Sequence, residues 1–183
     1  MKYDIIVLGS GPGGYVTAIR ASQLGFKVAV IEKENLGGVC LNWGCIPTKA
    51  LLKSAQVFNY IKHAEDYGLN KVEGSFDFPN VIARSRGVAT KMSGGISFLM
   101  KKNKIDVYYG LGSFVTKNKI AITDAAGKKT EIETEKTIIA TGSKPTALPF
   151  LPVDKKRIIT STEALNLPEV PKHLVIIGGG IIG

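Results

Sequence analysis

Two cysteines, Cys40 and Cys45, stand five positions apart and are the only thiols in the chain. Their type and spacing allow three chemistries: a structural bridge, a metal site or a reversible redox pair. A bridge closing so short a loop restricts the unfolded chain little and is rare in reducing compartments. A metal site needs further ligands, and the two histidines, His63 and His173, lie far off in sequence; no metal is expected. Redox use is the leading candidate. On an ideal helix, five residues rise about 7.5 Å along the axis, beyond the roughly 7 Å limit on Cα separation in a disulfide. A reducible bridge here therefore needs a distorted backbone, which Gly44 and Pro47 can provide. A thiolate near a helix start, with Lys49 as a neighbouring cation, is favoured by both positive charges.

The elements that must hold this pair begin with an apolar run, Tyr3 to Leu8, which stops at Gly9 as a buried parallel strand should. Gly9-Ser10-Gly11-Pro12-Gly13-Gly14 follows, then helical spacing from Tyr15 to Leu24 with Gly25 at its end, then a second strand from Lys27 to Ile31 ending at Glu32. This is one complete βαβ unit. In Gly9-x-Gly11-x-x-Gly14 the first glycine permits the tight turn, the second lets the backbone approach a pyrophosphate, and the third lets helix pack on strand. The helix N-terminus then offers N–H groups and a positive dipole end to phosphate. Glu32, roughly 20 residues on, stands where a carboxylate accepts hydrogen bonds from adenosine ribose. The pattern alone is compatible with either FAD or NAD.

Downstream, Thr48 to Glu65 reads as a long helix closed near Gly68. Phe78 to Lys102 reads as another, with Gly94-Gly95 as a weak point. From Ile105 the period shortens. Val107–Tyr109, Ser113–Thr116, Lys119–Thr123, Glu131–Glu133 and Lys136–Ala140 read as short strands, a small β-meander attached to an α/β core. Pro145, Pro149 and Pro152 make a stiff connection to a strand His173–Ile177, which enters a second glycine run, Gly178-x-Gly180-x-x-Gly183. The expected organisation is a Rossmann-like dinucleotide-binding domain over 1–147, then a linker and the first strand of a second nucleotide domain over 148–183. A bare apolar segment Leu174–Ile177 would expose an edge prone to association.

The net charge of +9 raises the question of a nucleic-acid partner. The lysines are scattered over helix faces and turns (Lys101, Lys117, Lys128, Lys155 among them) without an aromatic-basic motif, so none is expected. No apolar run approaches the roughly 20 residues of a membrane span, and Met1 to Tyr3 leads straight into a strand without a leader. A soluble, cytoplasmic protein is expected.

The stretch Gly37-Gly38-Val39-Cys40-Leu41-Asn42-Trp43-Gly44-Cys45-Ile46-Pro47-Thr48-Lys49 resembles the active-site signature of the flavin disulfide reductases, class I pyridine nucleotide-disulfide oxidoreductases, and its wording most resembles their lipoamide dehydrogenase branch. Glutathione-type reductases typically carry Val where Leu41 stands and Lys-Lys where Thr48-Lys49 stands; they and the mercuric reductases are the alternative. The resemblance spans the whole chain. It implies FAD on the first glycine motif, held by Gly9, Gly11, Pro12, Gly13, Gly14, Glu32, Lys33, Gly38, Val39, Cys40 and Lys49, with Gly112 at the adenine end and Thr141-Gly142-Ser143 in the turn that approaches the cofactor. Cys45 would be the flavin-proximal sulfur, Cys40 the interchange sulfur that meets substrate, and Lys49 would lie against the flavin ring. Gly178, Gly180 and Gly183 would begin an NAD site.

The same resemblance implies a parent homodimer oxidising dihydrolipoamide on lipoyl domains of 2-oxoacid dehydrogenase or glycine cleavage complexes. Its C-terminal His–Glu pair matches neither His63 nor His173, so these 183 residues are expected to be an incomplete piece, a poor catalyst alone. Two other readings are a non-catalytic FAD-binding module and, less in keeping with the nucleotide turn, a thioredoxin-like exchanger.

Overall fold

The computed structural model describes residues 1–146 and 148–183. The chain divides into two compact units, residues 1–42 with 90–144, and residues 43–89 with 145–183.

The first unit is built on one six-stranded sheet. β1 (Lys2–Leu8) and β2 (Val28–Glu32) pair in parallel and are joined through α1 (Pro12–Gln23). β3 (Asp106–Tyr109) extends the parallel set beyond β2. β4 (Leu111–Thr116) and β5 (Lys119–Thr123) pair antiparallel, and β5 pairs antiparallel with β6 (Lys129–Ile139), so that the strand order is β3-β2-β1-β6-β5-β4. All five residues of β2 are buried, as a strand covered on both faces requires. On one side Gly14, Ala18 and Ala21 of α1 are buried; small residues let the helix lie close to β1 and β2. An apolar cluster of Ile6, Leu8, Ala29, Ile31, Ile120, Ile122 and Ile132 joins the parallel strands to the meander.

The segments Glu131–Glu133 and Lys136–Ala140 are not separate strands. They form one strand, β6 (Lys129–Ile139), whose first half pairs with β5 and whose later residues run parallel to β1. The polar residues between them belong to the ladder: Thr134 is buried and its hydroxyl donates to the Lys136 carbonyl at 2.7 Å. α4 (Phe78–Lys102) has the expected limits and runs unbroken through Gly94-Gly95. Two interior glycines cost about 1 kcal/mol each relative to alanine, and burial of Ile96 and Met100 in the next turns offsets that. The last half of α4 belongs to this unit, and Ser22 of α1 donates to the Asn103 carbonyl at its end.

The second unit holds α3 (Cys45–Lys62), a 3-10 turn at Ala64–Tyr67 ended by Gly68 at φ +73°, the first half of α4, and α5 (Ser161–Ala164). The single helix expected to reach Glu65 thus ends three residues earlier and tightens. Arg84 donates to the Ala50 carbonyl at 2.9 Å, and Phe58 meets Phe76 edge-on at 5.2 Å. His173–Ile177 does not form the expected strand. No strand among the described residues pairs with it, and without a partner an extended apolar segment leaves its backbone to solvent; Leu174 to Ile177 are all exposed. The expected domain boundary falls on Ala147, which lies outside the described residues.

α5 carries a capping box. Thr160 donates its N–H (2.9 Å) and hydroxyl (2.6 Å) to Glu163, while Thr162 N–H donates to the Thr160 hydroxyl. The Thr160 hydroxyl, then its N–H, hold the Glu163 carboxyl below its ordinary range. A depressed carboxyl stabilises above the unfolded-state pKa, roughly 4.3, and that contribution is lost as pH falls through the folded value. Amide exchange over 161–164 is therefore expected to accelerate relative to a peptide reference between pH 6 and pH 3, and Thr160→Ala to remove most of that difference. An unchanged pH dependence in Thr160→Ala would contradict this role.

Candidate functional site

The glycine turn is held by close backbone packing. Gly9 has φ +91°, and a Cβ there would overlap the Ala140 carbonyl oxygen and lie 3.1 Å from the Thr141 Cα. At Gly14 a Cβ would overlap the carbonyl oxygen of Gly9 itself. Two chain crossings fix this: Gly9 N–H donates to the Ile31 carbonyl and Ala140 N–H to the Leu8 carbonyl, each at 2.8 Å. Gly11 and Gly13 are different. Nothing lies within 4 Å of a Cβ at either, so open space borders the start of α1. Gly11 is the N-cap and supplies no side chain, Pro12 follows, and the first turn contains no acidic residue. An uncapped N-terminus beside open space suits a phosphate.

Glu32 ends β2, only 6% exposed. Its Oε2 accepts from Ser10 N–H (2.9 Å) and Ser10 Oγ–H (2.5 Å), and its Oε1 accepts from Glu34 N–H (2.9 Å). Ser10 also accepts Gly37 N–H at 3.0 Å. A Cβ at Gly38, φ +58°, would lie 2.8 Å from the Gly11 Cα, so the start of α2 (Gly38–Trp43) lies against the glycine turn. Asn42 donates to the Leu36 and Gly38 carbonyls at 3.0 and 2.9 Å, and Ser93 donates to the same Leu36 carbonyl at 2.7 Å. These bonds fix the short helix that carries Val39 and Cys40. Lys33 is exposed and pairs with Glu34 at 3.4 Å. A Cβ at Gly112 would come 2.8 Å from Leu8, over the C-terminal end of β1. Thr141, Gly142 (φ +71°) and Ser143 follow β6, with Thr141 beside Gly9.

The first unit thus gathers Gly9 to Gly14, Glu32, Gly38, Gly112 and Thr141 around the C-terminal ends of parallel strands, where α/β sheets bind ligands. The sequence reading missed Ser10, Asn42 and Ser93. Only Ser10 offered a signal: a hydrogen-bonding side chain between the first two glycines.

In the second unit, Cys45 is exposed and is the first residue of α3. Gly44 before it has φ −141° and ψ −119°, outside helical values, so Cys40 and Cys45 belong to different helices. Gly44 supplies the break; Pro47 is buried within the first turn of α3, where a missing N–H is tolerated. Both sulfurs are thiols in this structure. No side chain caps α3 and its first turn holds no acidic residue, so Cys45 stands at the uncapped start of an 18-residue helix. Lys49 is exposed one turn on. His63 is exposed beside Asp66 at 3.5 Å and His173 is exposed.

The second glycine run repeats the close packing of the first. Gly178 has φ +105°, and a Cβ at Gly183 would overlap the Gly178 carbonyl oxygen, as Gly14 would overlap Gly9. The turn forms although the preceding strand does not.

The chain belongs to the family described as pyridine nucleotide-disulphide oxidoreductase, whose sequence model matches residues 3–183. As a class these proteins bind FAD and NAD(P). Among curated relatives, the dihydrolipoyl dehydrogenase of Zymomonas mobilis subsp. mobilis is 48% identical over 181 residues, 99% of this chain and 39% of the relative. That of Bacillus subtilis is 46% identical over 190 residues, 100% and 40%, and that of Trypanosoma brucei brucei 49% over 185 residues, 99% and 38%. The chain thus spans about two fifths of their length. Among solved structures, LpdA from Mycobacterium tuberculosis matches with a TM-score of 0.83 at 26% identity over 93% of this chain and 38% of that one. The HOCl-induced flavoprotein disulfide reductase RclA from Escherichia coli matches at 0.80 and 30%, over 97% and 37%. No helix among the described residues is long and apolar enough to cross a membrane.

Proposed function

We propose that these residues are the FAD-binding, cysteine-bearing portion of a dihydrolipoyl dehydrogenase. Residues 1–147 would form the FAD domain, and 148–183 the linker and start of an NAD domain. The observation that carries the reading is the alignment of the whole chain with dihydrolipoyl dehydrogenases at 45 to 49% identity, through the segment CLNWGCIPTKALL.

The donor set suits FAD. Gly11 and Gly13 leave room at an uncapped helix start, and Glu32 retains acceptor capacity for ribose. Gly112 would lie at the adenine end; Lys33, Gly38, Val39, Thr141, Gly142 and Ser143 would line the rest, with Lys49 toward the flavin ring. When bound, FAD supplies a two-electron relay between the dithiol and a nicotinamide. The protein's own chemistry is thiol–disulfide exchange. In the oxidised protein a substrate thiolate attacks the Cys40 sulfur of a Cys40–Cys45 bridge, and the S–S bond breaks with the Cys45 sulfur leaving as a thiolate. The second substrate thiol, as thiolate, then displaces Cys40. Substrate departs as a cyclic disulfide, and the protein keeps two reduced sulfurs. The substrate would be dihydrolipoamide on the lipoyl domains of 2-oxoacid dehydrogenase or glycine cleavage complexes, and the whole protein a homodimer.

The test is turnover of the full-length protein with NAD+ and either dihydrolipoamide or reduced glutathione. Dihydrolipoamide is expected to give a kcat/KM higher by a factor of ~100 or more, the discrimination a site built around one dithiol can reach. Equal rates, or a preference for glutathione, would overturn the substrate assignment.

A further inference from the structure

Glu32 is a carboxylate already engaged on both oxygens, and the count of its bonds has a consequence for what it can recognise. A carboxylate offers about four acceptor positions, two per oxygen. Oε2 takes the Ser10 N–H and the Ser10 hydroxyl, and Oε1 takes the Glu34 N–H. Ser10 is fully buried, so its hydroxyl has no water to turn to. Three positions are filled, and the open one is on Oε1. We propose that Ser10 is a specificity-determining residue that makes Glu32 a one-hydroxyl acceptor, so that a bound adenosine ribose is read at a single one of its two neighbouring hydroxyls.

The inference rests on the reading of the glycine turn as an FAD site. Without the Ser10 hydroxyl, Oε2 regains an acceptor position and the carboxylate can meet both hydroxyls of a vicinal diol. The Ser10 N–H bond remains in that case, so Glu32 keeps its place at the end of β2.

Titration of this chain with FAD and with its 2′-deoxyadenosine and 3′-deoxyadenosine analogues, followed by flavin fluorescence, tests the proposal. The expected result is one-sided. One analogue binds within about threefold of FAD and the other about tenfold or more weaker, the size of one lost hydrogen bond to a charged group. In Ser10→Ala both analogues are expected to bind more weakly than FAD, a change of pattern that general loosening of the fold would not produce. The unsubstituted chain decides on its own: equal weakening by both analogues, or equal affinity for all three ligands, overturns the inference and leaves the FAD site standing. Failure of FAD itself to bind removes the FAD reading, and the inference with it.

Discussion

Gly14→Val is expected to yield a chain that carries no flavin and melts at least about 6 °C lower. The added Cβ lands on the Gly9 carbonyl oxygen, and Gly9 has nowhere to go. Its φ of +91° is closed to other residues, its own α-carbon abuts Ala140, and its N–H is spent on the Ile31 carbonyl. Relief must come from lifting α1 off β1 and β2, which separates Ala18 and Ala21 from the sheet. Overpacking of this kind costs about 3 kcal/mol or more, and 1 kcal/mol moves Tm by roughly 2–4 °C in a chain of this size. Gly13→Ala is the control. It lies in the same helix with open space around it, and alanine is the better helix former by about 1 kcal/mol, so its Tm should hold or rise. Thermal unfolding by circular dichroism and the flavin-to-protein absorbance ratio provide both readouts. A Gly14→Val chain with wild-type melting and flavin content would contradict the packing described.

The second large effect is expected at Cys45. In the full-length protein, Cys45→Ser should lower dihydrolipoamide turnover by ~1000-fold or more, because a hydroxyl neither forms the bridge nor leaves from sulfur. FAD affinity should stay within about threefold. Serine nearly keeps the size of the side chain, and the residues proposed to hold FAD, Gly9 to Gly14, Glu32 and Gly112, are untouched by the substitution. A parallel fall in flavin binding and turnover would instead mean that Cys45 is structural. Stopped-flow reduction by dihydrolipoamide, with flavin content measured on the same samples, separates the two.

The sequence makes legible whatever local pattern determines. The strand, glycine turn, helix and second strand of the first βαβ unit were legible because apolar runs and glycine spacing are both local. So was α4, to the residue, since its apolar positions keep a helical period. β6 was not legible as one strand. Its middle, Thr134 to Lys136, is polar, and only pairing with β1 on one side and β5 on the other makes it continuous. The reverse error arose at His173–Ile177, where an apolar run reads as a strand but has no neighbour to pair with among the described residues. In the candidate site, the glycines and Glu32 followed from motif chemistry. The bond from Ser10 to Glu32 did not, because it joins residues 22 positions apart that only the parallel pairing of β1 with β2 brings together. The clamp of Asn42 and Ser93 on the Leu36 carbonyl was hidden for the same reason.

On the proposed function a flavin and Cys45 would work as one redox centre. This is tested most directly by reconstituting this chain with FAD, adding one two-electron equivalent of reductant without oxygen, and recording the visible spectrum. The account predicts a long-wavelength charge-transfer absorbance between thiolate and oxidised flavin: in the unsubstituted chain it appears on adding the equivalent, which the Cys40–Cys45 bridge takes up; in Cys40→Ser, which has no bridge, it is present before any reductant is added; in Cys45→Ser it is absent throughout. A bound flavin that bleaches directly to its reduced form in all three, with no such band at any stage, would contradict it.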